Sequence, residues 1–258
     1  MSAIVLLEWN FTPPDYFEEA IEILRSDYAM NIANGKVEAK IESSMFDSNP
    51  SIRQVLHDSL NDRFLGVQLL THRPYELSKS TIARLHPDGR RDTSIELESV
   101  CIVVSVRSVD LRVTDKDGNV ISDSKRDRIE RKKSLAELVS THRASDGLLG
   151  AMLRSYDAGV RDPNNELVHL YEIRDALSTK FGGESAARAT LAITAAQWSR
   201  LGQLCNNEPL CQGRHRGKTG EVLRDASEAE LAEARGIARA MIEAYLQRID
   251  TRNLQGNP

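Results

Sequence analysis

The chain has 258 residues, 40% of them hydrophobic and 28% charged, with a formal net charge of −4. This balance is ordinary for a globular protein and speaks against a disordered, collagen-like or disulfide-framework chain. An acidic total gives no overall attraction to nucleic acid or acidic membrane, so any such contact needs a local basic patch.

The first residues, Met1 to Trp9, lack a basic leader and meet a charge at Glu8, so they do not read as a signal peptide. No apolar stretch approaches the ~18–20 residues that span a bilayer. A cytoplasmic protein without membrane contact is expected. The three cysteines, Cys101, Cys205 and Cys211, match no zinc-ligand spacing. No HExxH, G-x-S-x-G or Rossmann glycine pattern is present, so neither a metal nor a cofactor is expected.

Residues 4–9 are a short apolar run, read as a buried strand. Residues 29–41 alternate around Asn34-Gly35, a strong hairpin signal because both residues tolerate positive φ. Apolar residues at Ile52, Val55, Leu56 and Leu60 have helical spacing, and 64–70 reads as a further strand. Strands at 81–85 and 93–106 flank Pro87-Asp88-Gly89, and strands at 109–113 and 120–121 flank Asp117-Gly118. These signals predict a mostly antiparallel β-sheet domain over 1–124, covered by one or two helices.

The period then changes. Ser134…Glu137, Thr194…Gln197 and Ser227…Glu230 match the capping box that opens helices. Helical patterns cover 134–156, as one helix broken near Ser145-Asp146-Gly147 or as two. Others cover 164–181, ending at Gly182-Gly183, then 186–191, 194–205 and 227–249. The fold class expected is α+β: an antiparallel sheet domain followed by a helical bundle over 125–250 and a flexible tail over 251–258. Trp9 and Trp198 read as core anchors.

Two segments are rich in cations. Residues 125–133 read KRDRIERKK, six basic and two acidic side chains, including Lys132 and Lys133. They are either a phosphate-contacting segment or a solvated first turn diluted by Asp127 and Glu130. Residues 206–224 read NNEPLCQGRHRGKTGEVLR and lie between two amphipathic helices. Arg214, His215, Arg216 and Lys218 fall within five positions, with Arg224 beyond them. Guanidinium forks match phosphate, and glycines let backbone amides approach a ligand. A histidine among cations has its pKa lowered, which suits a general base. The alternative is an exposed connection whose glycines only shape the turn. It is not a Walker A loop, because Gly213 and Gly217 have the wrong separation before Lys218-Thr219. The helix at 164–181 carries Glu166, His169, Tyr171, Glu172, Arg174 and Asp175. Glu172 and Asp175 share a face; they either orient those cations or belong to a solvated face with a partly buried histidine.

On these residues the helical half resembles the HEPN superfamily of helical-bundle proteins. That family carries an Arg, then a polar residue, and a His a few residues later, at a loop–helix junction. Arg214-His215 matches the Arg-polar start; no histidine follows His215. The resemblance implies metal-independent RNA cleavage across a homodimer, with Arg214 as its carried-over residue. A β-rich half followed by a HEPN-like half also resembles some bacterial antiphage-defence proteins. Three functions follow as expectations. One is RNA binding or cleavage, with Arg214 and His215 catalytic, Arg216, Lys218, Arg224, Lys132 and Lys133 on the nucleic acid, and Glu172 and Asp175 supporting. A second is a non-catalytic module that dimerises or binds a protein partner. A third is a phosphate or nucleotide sensor.

Overall fold

In the computed structural model, residues 3–86, 90–94, 110–114, 119–214 and 222–255 are described, with backbone alone at 91, 93–94 and 253–255. The chain divides into one unit of Met1–Val67 with Tyr75–Glu137, and another of Gln68–Pro74 with Leu138–Pro258. The second division between these compact units follows Glu137, inside the helix that begins at Ser124. The architecture is α+β, an N-terminal antiparallel sheet followed by a helical C-terminal region.

The first unit is organised around β1 (Ile4–Thr12), which runs three residues past the expected strand. It pairs on one side with β4 (Lys36–Glu42) and on the other with β6 (Thr81–Leu85). β2 (Ile21–Leu24), β3 (Ala29–Ala33) and β7 (Arg91–Ser94) complete the order β2-β3-β4-β1-β6-β7, and β5 (Glu76–Leu77) pairs with the end of β1. The β3–β4 hairpin turns at Asn34 (φ 49°) and Gly35 (φ 81°), as the Asn-Gly signal requires. Register places Val5 opposite Ile41, Leu7 opposite Ala39 and Trp9 opposite Val37, so alternate buried residues make one apolar face. A separate ribbon joins β8 (Arg112–Thr114) to β9 (Val120–Asp123). The Pro87-Asp88-Gly89 and Asp117-Gly118 turns, the remainder of the 93–106 strand and Cys101 lie outside the described residues.

After the short α1 (Ser43–Ser48), α2 (Ile52–Thr71) corrects the strand expected at 64–70. Leu56, Leu60, Phe64 and Val67 continue one helical face, while Leu65 and Leu69 are buried as well. A helix buried on more than one face reads as an unbroken apolar run, which periodicity cannot separate from a strand. Phe64 is the hub of the first unit, its ring 4.9–5.2 Å from those of Phe11, Tyr16, Phe17 and Tyr75.

α3 (Ser124–His142) starts ten residues before the expected Ser134 cap. Asp123 caps it by accepting the Arg126 amide at 3.0 Å. Ser134 lies inside the helix, where amides already bond to the preceding turn. Glu137 instead accepts from Arg25 and Arg63. Gly66 lets α2 meet α3 backbone to backbone, since a Cβ there would lie 2.6 Å from the Leu135 carbonyl oxygen and 2.8 Å from Ala136 Cα.

In the second unit, α4 (Gly147–Arg161) is capped by Asp146, which accepts the Leu149 amide at 2.8 Å. The expected helix at 134–156 is therefore parts of two. α5 (Glu166–Phe181) follows a 3-10 turn opened by Pro163 and ends at Gly182 (φ 76°), with the Gly183 amide closing on the Ser178 carbonyl. α6 (Glu184–Leu191), α7 (Ala195–Gly202) and α8 (Glu228–Gln255) complete the set. The Thr194–Gln197 and Ser227–Glu230 capping boxes both form. α8 continues through much of the expected tail. Trp9 and Trp198 are buried. No helix among the described residues is long and apolar enough to cross a membrane.

Two glycine substitutions separate packing from propensity. Gly66→Ala gains about 1 kcal/mol of helix propensity but forces Cβ into backbone, an overpacking cost of about 1–3 kcal/mol. A fall of a few degrees in melting temperature is expected. Gly236 in α8 has nothing within 4 Å of its would-be Cβ, so Gly236→Ala is expected to raise stability. Thermal melts of both variants check the contrast.

Candidate functional site

The site of interest is assembled at α5. Tyr171, Arg174 and Asp175 are three and four residues apart and share one face of that helix. α7 ends in a π-helical turn, Gln203–Asn207, whose Cys205 carbonyl accepts the Arg214 amide at 2.8 Å. Gly213 permits this approach, since a Cβ there would lie 3.1 Å from the Leu210 carbonyl oxygen and 3.3 Å from that of Cys205. Burial pushes the Cys205 thiol up to about 12, which leaves it unreactive at neutral pH.

With its backbone so held, Arg214 lays its guanidinium 4.9 Å from the centroid of the Tyr171 ring and donates from Nη1 to Asp175 Oδ2 at 2.9 Å. Arg174 lies 5.3 Å from the Tyr171 ring and 5.1 Å from that of Trp198. It donates to the Tyr171 hydroxyl at 3.0 Å and to Glu184 at 3.3 Å. Side-chain exposure separates the two cations, 45% for Arg214 against 17% for Arg174. Arg214 is thus the more exposed arginine of this stack, and Arg174 is held against the same ring by its bond to the Tyr171 hydroxyl. Guanidinium–aromatic stacking contributes about 0.5–2 kcal/mol, more where water is excluded.

The other expected site residues fall in different places. His215, Arg216 and Lys218 lie outside the described residues. Asp175 meets Arg214, but Glu172 accepts from Ser155 Oγ at 2.8 Å. Arg224 closes the base of the loop. Its amide donates to the Pro209 carbonyl, its carbonyl accepts the Cys211 amide, and its guanidinium forks onto both oxygens of Glu230. Arg224 and the Ser227 hydrogen bonds bring the Glu230 pKa down to about 2. Lys132 and Lys133 belong to the first unit, within α3. Lys132 and Arg128 donate to Glu18, and Lys133 and Arg126 to Glu19. Hydrogen bonding from Arg128, joined by Lys132, lowers the Glu18 pKa to about 2 against the opposing effect of burial. The basic run 125–133 is therefore largely engaged with the unit's own carboxylates.

A further charged cluster, in the second unit, joins Glu166 to residues that the sequence did not connect with it. The Glu166 side chain is only 1% exposed, and both its oxygens receive the Arg235 fork, at 2.6 and 2.8 Å. His72 Nε2 lies 3.2 Å from the same carboxylate. His72 adopts φ 48° and packs edge-on against Tyr156, whose hydroxyl donates to the Leu69 carbonyl. Gln68 adds a bond to Asp157 at 3.0 Å. These contacts fasten 68–74 to α4, α5 and α8. No local motif marks them, because Glu166 and Arg235 are 69 residues apart.

Among the described residues no three His, Cys, Asp or Glu side chains gather to hold a metal ion. No family model, curated protein or solved structure matches the chain.

The buried carboxylate dictates an acid response. Burial would raise the Glu166 pKa, but hydrogen bonds from Arg235 and His72 more than offset it, leaving it below the ordinary 4.5. A depressed folded-state pKa stabilises above the unfolded value and is lost as pH falls through the folded one. Glu18 and Glu230, both near 2, act in the same sense. Melting temperature is therefore expected to fall progressively from about pH 4.5 towards pH 2. Glu166→Gln removes the anion facing Arg235 and is expected to cost about 3–5 kcal/mol at pH 7. Its acid loss should be shallower than that of the wild type, as measured by melts across this range.

Proposed function

We propose that the protein binds RNA through the loop that begins at Arg214, as a HEPN-like module whose chemistry, where it cleaves, needs no metal. The observation that supports this reading is the placement of Arg214. It is pinned through its backbone, stacked on Tyr171 and open on its outer side, at the start of a segment that continues His-Arg-Gly-Lys. A pre-oriented guanidinium suits a phosphodiester because it offers two parallel N–H donors. In the proposed cleavage the RNA 2′-oxygen bonds to the adjacent phosphorus and the bond to the 5′-oxygen breaks, leaving a 2′,3′-cyclic phosphate and a 5′-hydroxyl. The His215 imidazole takes the proton from the 2′-hydroxyl and delivers one to the departing oxygen. Arg214 stabilises the charge that builds on the phosphoryl oxygens.

The second reading is a non-catalytic protein-interaction or dimerisation module. It is favoured by the internal pairing of Lys132, Lys133 and Arg224 with carboxylates, which leaves fewer cations for a phosphate backbone.

Labelled RNA incubated in EDTA distinguishes the two. The wild type is expected to cleave, and the Arg214→Ala, His215→Ala protein to lose at least about 10²–10³-fold of that rate with an unchanged melt. Retained cleavage in the double variant would overturn the assignment. No cleavage by either folded protein, together with a co-purifying protein and no bound nucleic acid, would favour the interaction module.

A further inference from the structure

We infer that Asp175 is an internal competitor of RNA for Arg214, so that binding proceeds by exchange of this carboxylate for a backbone phosphate. The inference rests on the RNA-binding reading above and concerns the regulation of that site.

Three observations support it. The Asp175 carboxylate accepts from Arg214 Nη1 at 2.9 Å, so an anion already occupies a donor of this guanidinium. The pair is open to water, with side-chain exposures of 45% and 46%. An exposed pair of this kind is weak, so a polyanion can displace it. Arg214 does not need Asp175 to stay in place, because its amide is bound to the Cys205 carbonyl and its guanidinium lies over Tyr171. The neighbouring cation behaves differently. Arg174 is largely buried between two rings and remains with Glu184 and the Tyr171 hydroxyl.

The exchange has a signature in salt. Salt also weakens the exposed Arg214–Asp175 pair that RNA must break, and this offsets part of the loss of affinity with salt, so the wild-type slope is shallower. When Arg214 starts free, its neutralisation of a phosphate contributes fully, about 0.7 in the slope of log affinity against log salt for a single strand. A positioning role for Asp175 predicts weaker binding when it is removed and no such steepening.

The test measures binding of a labelled single-stranded RNA oligonucleotide to the full chain over a salt series, in EDTA and with a 2′-deoxy residue at any cleaved position. The proteins are wild type, Asp175→Asn, Arg214→Ala and the double variant, each first shown to melt as the wild type does. Asp175→Asn is expected to bind about two- to fivefold more tightly at low salt, with a steeper salt slope. That gain should vanish in the Arg214→Ala background. If wild-type binding depends on Arg214 but Asp175→Asn binds equally or more weakly, the competitor role is overturned while the RNA reading stands. If no protein retains RNA, both are overturned.

Discussion

The Glu166 carboxylate is the constraint around which the second unit is organised. It is buried, and it keeps its charge because Arg235 meets both oxygens and His72 adds a third contact. Taking such an ion out of water costs several kcal/mol unless its oxygens are satisfied, so the geometry of its partners is tightly restricted. Satisfying it fixes the start of α5 against α8 and against the 68–74 segment. Tyr171, Arg174 and Asp175 follow on the same helix, so the platform under Arg214 inherits its position from an ion pair that is not part of it.

The two units handle charge differently. In the first, the basic face of α3 is matched by Glu18 and Glu19, which convert a run of cations into packing. In the second, Arg224 forks onto Glu230 at the loop base, while Arg214 keeps one exposed carboxylate partner and an aromatic ring. In the former pairs, carboxylates shared between cations in the first unit and a bidentate fork at Arg224 make several contacts each. The Arg214–Asp175 pair rests on a single hydrogen bond between two exposed side chains.

Much of the local structure was legible in the residues. The Asn34-Gly35 turn, the Thr194 and Ser227 caps and the Gly182 stop each rest on an interaction spanning a few residues, so their signals are local. The Ser134 cap failed because a capping hydroxyl needs free amides, and α3 had begun at Ser124. The strand expected at 64–70 failed because α2 is buried on more than one face there, which erases the polar side of the helical pattern. Of the candidate site, a pairing of Asp175 with the loop was one of two readings of the face it shares on α5, the other being a solvated face. The same reasoning included Glu172, which the fold turns to Ser155 instead.

By itself, the sequence determined which stretches alternate as strands, where several helices start and stop, and that a dense cation cluster follows Gly213. These depend on backbone conformational preference and on side-chain spacing within a few residues. Tertiary structure decided which cations remain available. Whether Lys132 meets Glu18, Arg224 meets Glu230 or Arg235 meets Glu166 depends on contacts spanning six to more than a hundred residues. It also decided that Arg214 rests on Tyr171, because the ring comes from one helix and the loop is pinned by another element's carbonyl. Charge is written in the sequence, but its exposure and its partners are properties of the packed chain.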